Sequence, residues 1–454
     1  MTEVEQLSQF VDKSSFNDLS AGELAQLKIR VLDTIGVAIG ALDAEVIRKI
    51  KENTLDFGGR PLSTMIGGEA TSPDRAAFYN GALVRYLDFM DSTLTPGETF
   101  HPSDNFGAVL AAAEYARASG KEFLTALGVA YEVQSRLSEN APVRAKGFDH
   151  TTQGAYAVAA GVAKALRLDA HQTANAVAMS GTANNALRVT RTGALSNWKG
   201  LAYANTAFSS VHCTFLAMHG ITGPLEVFEG NKGFKQSIAG PFFVDWKKPG
   251  LNQITRSIVK KYNAEIHSQS ALEGALQLSN QYGFSGGEVR SVLVETFQVA
   301  YDIIGGGEEG SKTEVQTKED ADHSLPYMIA AALIDGELLP DQYRPERIKA
   351  SDVQSLLRRV RVVARPELTL RFPNEMPAKV TITLNDGSVL SAEKSDYDGF
   401  HTRPMRWNTA LLKFDRLVDG KIDSSQRNHL VETVRHLEEL SVRDLTSLLR
   451  KDLK

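Results

Sequence analysis

Over residues 1 to about 240, apolar side chains recur at three- and four-residue spacing, the period of helices with one buried face. The spacing predicts helices over 21–42, 76–90, 106–119, 121–139, 151–167, 170–182 and 200–219. Asp74 stands ahead of the second of these as a cap. Small residues, as in AYAVAAGVAKAL (155–166), let helices approach closely. The texture changes near residue 245. RSVLVETF (290–297) and RVRVVARPEL (359–368) read as strands. KVTITLNDGSVLSAEK (379–394) sets Asn-Asp-Gly between two β-rich runs, which predicts a hairpin. Helices at 268–282 and 319–337 accompany these strands, and helical periodicity returns after Pro404 at 406–417, 423–440 and 441–451. The expected fold class is mainly α. A large helical domain, 1–262 completed by 400–454, joins a smaller α+β domain, 263–399.

Length supports that division, because single cores stop growing at roughly 250–300 residues and this chain has 454. The net charge of -5 carries no basic footprint for nucleic acid, yet leaves room for a local basic pocket. MTEVEQLSQFVDKSSF lacks the basic and apolar regions of a signal peptide. The longest apolar runs, such as IGVAIGAL (35–42), are far short of a membrane span. A soluble cytoplasmic chain with no membrane partner is expected. The one cysteine, Cys213, excludes an intramolecular disulfide and any four-cysteine zinc or iron–sulfur site within one chain. It reads as a buried thiol in a packed helix. GGGEEGSK (305–312) misses the Walker spacing, because Ser311 separates Gly310 from Lys312, and reads as a loop.

Four clusters can carry chemistry. In YLDFMDSTLTPGETFHPSDN (86–105), Asp88 and Asp91 are set three apart on one face of an ending helix, followed by His101 on a loop. These groups suit acid/base work or a metal, or simply a solvated helix end. In FDHTTQGA (148–155), His150 precedes a small-residue helix, where an anion is favoured; an ordinary N-cap cluster is the bland alternative. In LSNWKGLAYANTAF (195–208), Lys199 sits in the first turn of an apolar helix, against the helix dipole. Binding a carboxylate would explain it. In IVKKYNAEIHSQSA (258–271), Lys260, Lys261, Glu265 and His267 crowd a proposed domain junction, unless the stretch is a charged linker.

Taken in order, RYLDFMDS (85–92), HPSDN (101–105), GFDHTTQGA (147–155), NWKG (197–200) and KKYNAEIHSQSA (260–271) resemble the MmgE/PrpD family. DADHSLPYMIAAALIDG (320–336) and GFHTRPMRWNTALLKF (399–414) extend the likeness. Members of that family include 2-methylcitrate dehydratases and cis-aconitate decarboxylases. The resemblance implies a helical domain plus an α+β domain, a homodimer, and an active site between domains. It implicates Asp88, Ser92, His101, His150, Lys199 and Lys260; with the fourth cluster added, Asp88, His101, His150 and Lys199 are expected to be catalytic, and Ser92, Lys260, Glu265 and His267 substrate-binding. It implies no metal and no cofactor. Ser92 replaces a common Thr and keeps the hydroxyl, Met90 replaces a common acidic residue, and Asn263 stands where many relatives have Pro. Glu265 stands where the decarboxylase-like branch has His, which favours dehydration.

The expected function is therefore a hydro-lyase: metal-independent β-elimination of water from a hydroxy-tricarboxylate, 2-methylcitrate or citrate, to the corresponding aconitate. Lys199 and Lys260 would steady the charge that develops on the substrate. His101 or Asp88 would act as base and His150 as acid, and Ser92 would hydrogen-bond the substrate. Alternatives are a cis-aconitate-type decarboxylase or isomerase, a metal-dependent hydrolase using Asp88, Asp91 and His101, and a non-catalytic helical scaffold.

Overall fold

The computed structural model describes residues 1–192 and 196–450. Leu195, which opens one sequence cluster, and Lys451, which ends one expected helix, lie outside the described residues. The chain forms two compact units, Met1–Ile258 with Met405–Lys454, and Val259–Pro404. The fold is mainly α, with a larger helical unit and a smaller α+β unit.

The first unit opens with α1 (Glu3–Lys13), α2 (Ala21–Gly40) and α3 (Glu45–Phe57). A capping box of Ser20 and Glu23 fixes the start of α2. Helices α1 and α3 stand where the apolar pattern predicts none; α3 buries only a narrow stripe of Ile47, Ile50 and Thr54. A short hairpin, β1 (Ser63–Thr64) and β2 (Ala70–Thr71), leads to α4 (Pro73–Tyr86). Ser72, not Asp74, is the N-cap of α4, and Pro73 takes the first helical position, where its missing N–H costs no hydrogen bond. The helix stops at Tyr86, four residues before the expected Met90. A second hairpin follows, β3 (Thr93–Thr95) and β4 (Glu98–Phe100). Then come α5 (Phe106–Tyr115), α6 (Gly120–Asn140), α7 (Thr151–Ala165), α8 (Ala170–Ala183) and α9 (Trp198–Met218). Small residues set how near these helices lie. A Cβ on Gly107 of α5 would stand 2.7 Å from the Gly81 nitrogen of α4. Cys213 is a free, buried thiol on α9, and burial raises its pKa.

The second unit contains α10 (Gln269–Tyr282), β5 (Val289–Thr296), α11 (Leu325–Asp335), α12 (Ser351–Leu357), β6 (Val360–Ala364), β7 (Ala378–Leu384) and β8 (Val389–Lys394). Its sheet runs β6-β5-β7-β8; β5 and β6 are parallel and the other pairs antiparallel. The Asn-Asp-Gly hairpin forms, with Gly387 at φ 91°. Alternation on β7 turns Ala378, Val380 and Ile382 into a core with Leu272, Met328 and Leu356. Two expected elements break. The helix at 319–337 restarts at Leu325, because Pro326 lacks the N–H that an interior turn needs and Ser324 caps the new start. The strand at 359–368 ends at Ala364, ahead of a helical turn that begins at Pro366.

The chain then returns to the first unit as α13 (Trp407–Val418), α14 (Ser424–Arg435) and α15 (Val442–Leu448). Gly120 N–H donates to Leu440 O at 2.7 Å and Val442 N–H to Ala118 O at 3.0 Å. Lys413 on α13 lies 2.7 Å from Asp33 on α2 and donates to Phe89 O, also at 2.7 Å. Losing one partner of such a buried pair costs about 3–5 kcal/mol. This brace holds the chain directly after Asp88. Among the described residues, no helix is long and apolar enough to cross a membrane.

Candidate active site

The two carboxylates read as one helix face are separated by the end of α4. Asp88 lies past the helix in a left-handed conformation, φ 52°, which Asp tolerates better than most residues. Arg85, on the last turn, donates to Asp88 Oδ1 at 3.0 Å. Lys199 Nζ lies 3.8 Å from Asp88 Oδ2. Because α9 begins at Trp198, Lys199 is in its first turn, and this carboxylate offsets the unfavourable dipole. Asp91 turns elsewhere. Its Oδ1 accepts from Ser103 N–H at 3.0 Å and its Oδ2 from the Tyr131 hydroxyl at 2.8 Å. Burial raises the Asp91 pKa, with Arg30 opposing.

Hairpin register places Ser92 beside His101. Thr93 pairs with Phe100 and Thr95 with Glu98, so the next step outward matches Ser92 with His101. The Ser92 hydroxyl is 3.0 Å from His101 Nδ1, and Asp91 O is 2.8 Å from the same nitrogen. A carbonyl only accepts, so Nδ1 carries the hydrogen, and in the neutral ring Nε2 keeps its lone pair. The backbone of Ser92 is itself locked to Ile258 by two hydrogen bonds of 2.8 and 2.7 Å.

His150 stands directly before α7, makes no side-chain capping bond to it, and is buried. Its Nδ1 lies 3.1 Å from Asp149 Oδ1 and its Nε2 3.9 Å from Asp104 Oδ2. The His101 and His150 rings meet edge-on, 5.6 Å between centroids. Tyr203 stacks on the other side of His150 at 6.0 Å. Gly154 makes room for Tyr203: a Cβ there would lie 2.5 Å from its ring. The Tyr203 hydroxyl is 3.0 Å from Asn105 Oδ1 and 3.3 Å from Gln134 Oε1. Burial acts against the Asp149 carboxylate, but His150 and Arg191 outweigh it and hold the pKa well below the ordinary range. Arg191 Nε donates to Asp149 at 2.8 Å, and its Nη1 donates to Lys199 O at 3.0 Å.

Asp88, Ser92, His101, His150 and Lys199 are thus joined within the first unit by a continuous run of contacts. Sequence reasoning missed Arg85, Asp104, Asp149, Arg191 and Tyr203. Asp149 and Asp104 had a readable signal, since each sits in a short motif with a nominated histidine. Tyr203 and Arg191 had none, because only packing brings them in. Among the described residues, no group of three His, Cys, Asp or Glu side chains is arranged to hold a metal ion. Asp91, a member of the metal-hydrolase alternative, has both carboxylate oxygens occupied by protein donors.

The other nominated residues lie in the second unit. Lys260 is fully buried there, so this stretch is no solvated linker. Glu265 Oε2 accepts from His267 N–H at 2.8 Å, and its Oε1 lies 2.7 Å from His267 Nδ1. Burial works against the Glu265 carboxylate, but His267, His323 and Lys260 together bring its pKa down to about 2. Phe297 and Phe372 stack at 4.3 Å, and both rings touch His267. His323, which was not nominated, has the same device: Asp322 Oδ1 lies 2.5 Å from its Nδ1.

This mainly helical pair of units carries the two domains of one family. Residues 5–247 match the MmgE/PrpD N-terminal domain and residues 262–439 the MmgE/PrpD C-terminal domain, so the chain belongs to the MmgE/PrpD family. Among curated relatives, the mitochondrial 2-methylcitrate dehydratase of Yarrowia lipolytica is 26% identical, over 93% of this chain and 85% of that protein. The 2-methylcitrate dehydratase of Cupriavidus necator is 28% identical, over 84% and 82%. The cis-aconitate decarboxylase of Mus musculus is 24% identical, over 93% and 88%.

Proposed function

We propose that this protein is a hydro-lyase that removes water from a hydroxy-tricarboxylate, 2-methylcitrate or citrate, to give the corresponding aconitate. The carrying observation is the adjoining pair of buried histidines with different hydrogen-bond partners. His101 gives its Nδ1 hydrogen to a carbonyl, which leaves Nε2 to accept a proton. His150 faces carboxylates from both nitrogens, an arrangement that suits an imidazolium. One is built as a base and its neighbour as an acid. Asp88 is the weaker candidate for base, because Arg85 and Lys199 already hold its charge. The names of the Yarrowia lipolytica and Cupriavidus necator relatives support the same chemistry.

Loss of the proton beside a carboxylate puts negative charge on that carboxylate. Lys199 is our choice to stabilise it, and Ser92 to hydrogen-bond the substrate. In the second unit we assign Lys260, with Glu265 and His267, to recognition of substrate carboxylates. Protein side chains carry each of these roles, with no metal and no cofactor in the proposal. A homodimer and a cytoplasmic location complete the proposal, to be checked by light scattering and by cell fractionation.

Product analysis tests the reaction. Purified protein is given 2-methylcitrate, citrate and cis-aconitate in separate reactions. A new alkene that keeps every carboxylate supports dehydration. Release of CO2 from cis-aconitate, with the hydroxy acids untouched, makes it a decarboxylase.

A further inference from the structure

Beside His150 lies a carboxylate whose oxygens have no donor among the described residues. Asp104 is 1% exposed, and among the described residues neither of its oxygens has a hydrogen-bond partner. His150 Nε2 is likewise buried and without a hydrogen-bond partner. Native proteins rarely leave such atoms unsatisfied, and a cluster of them marks where an ordered water or a ligand completes the bonding. Asp104 Oδ2 and His150 Nε2 are 3.9 Å apart, too far to bond each other. One oxygen atom can sit about 2.8 Å from both.

The chemistry of the two atoms selects that oxygen. Asp104 as a carboxylate only accepts, and His150 as an imidazolium donates. The guest must therefore accept one hydrogen bond and donate another through a single oxygen. Water does this in the free protein, and a substrate alcohol does it when it takes the water's place. An ionised carboxylate oxygen does not, because it has no hydrogen to give.

We propose that Asp104 and His150 form the seat of the substrate's hydroxyl group, and that Asp104 is a specificity-determining residue for hydroxy acids. This rests on the dehydration reading. In the reaction the base takes the C–H proton and that electron pair forms the C=C bond. The C–O bond breaks, and the oxygen keeps its electron pair. It takes the Nε2 proton of His150 and leaves as water, still donating to Asp104.

The test pairs citrate with propane-1,2,3-tricarboxylate, which lacks only the hydroxyl, by titration calorimetry. A hydrogen bond to a charged acceptor predicts about tenfold tighter binding of citrate to the wild type. Asp104→Leu keeps nearly the same shape and removes the acceptor. It is expected to shrink the difference to within about twofold and cut alkene formation about a hundredfold, while binding of the deoxy acid stays within about threefold. Retained deoxy-acid binding reports that the site is folded. Equal binding of the two acids by the wild type, or a preference that survives Asp104→Leu, overturns the seat. If Asp104→Leu does not fold, the wild-type pair decides alone. A wild type that makes alkene but shows no hydroxyl preference sinks this inference and leaves the dehydration reading intact. A wild type that binds neither acid and leaves 2-methylcitrate unchanged sinks both.

Discussion

His150 in the first unit and His267 in the second are held alike and surrounded differently. Each has a carboxylate within 3.1 Å of Nδ1, from Asp149 and from Glu265. Such a contact fixes which nitrogen carries the hydrogen and how the ring is turned. The remaining neighbours differ. His150 meets a second histidine, a tyrosine and the carboxylate of Asp104. His267 meets two stacked phenylalanines. A polar far side can exchange a proton, whereas an aromatic clamp holds a ring still. On the proposed reading, the same local device would serve proton transfer in one unit and recognition in the other.

The largest expected effect comes from removing the acid. His150→Gln should lower kcat for alkene formation about 10³-fold. Asp149→Asn keeps the shape but frees the ring to adopt the wrong tautomer, and should cost about 10²-fold in kcat. His267→Gln should instead raise KM about tenfold with kcat nearly kept. A kcat loss at His267 as large as that at His150 would erase the contrast between the two regions. Steady-state kinetics on all three variants reads it directly.

The smallest effect is on stability and follows from Glu265. In the folded protein its carboxyl takes up a proton only near pH 2, against a usual value of 4.5. Below pH 4.5 the unfolded chain binds that proton and the folded one does not, so stability is lost as pH falls toward 2. Urea unfolding between pH 5 and pH 3 should show a steeper loss for the wild type than for Glu265→Gln.

Much of this arrangement was readable from spacing. Helices rich in small residues and the Asn-Asp-Gly hairpin follow from local pattern, and His101, His150 and Lys199 stand out by residue type. Asp88 and Asp91 show where such reading fails. Their spacing fits one helix face, but α4 ends at Tyr86, and a left-handed Asp88 sends the two carboxylates to different partners. Pro326 was visible in the sequence, but its power to restart a helix depends on Ser324 being free to cap. Tyr203 reaches His150 only because Gly154, distant in sequence, leaves space for its ring. Asp149-His150 and Asp322-His323 share a dipeptide that places a carboxylate on Nδ1 in both units, a signal that pairs of neighbouring residues carry and single residues do not.

Loss of water from a hydroxy-tricarboxylate is read directly by a proton NMR time course of the purified protein with 2-methylcitrate and with citrate. Vinyl or allylic-methyl signals should grow as those of the hydroxy acid fall, with all carboxylates kept, and His150→Gln should abolish the growth. Hydroxy acids that stay unchanged while cis-aconitate loses CO2 would contradict dehydration.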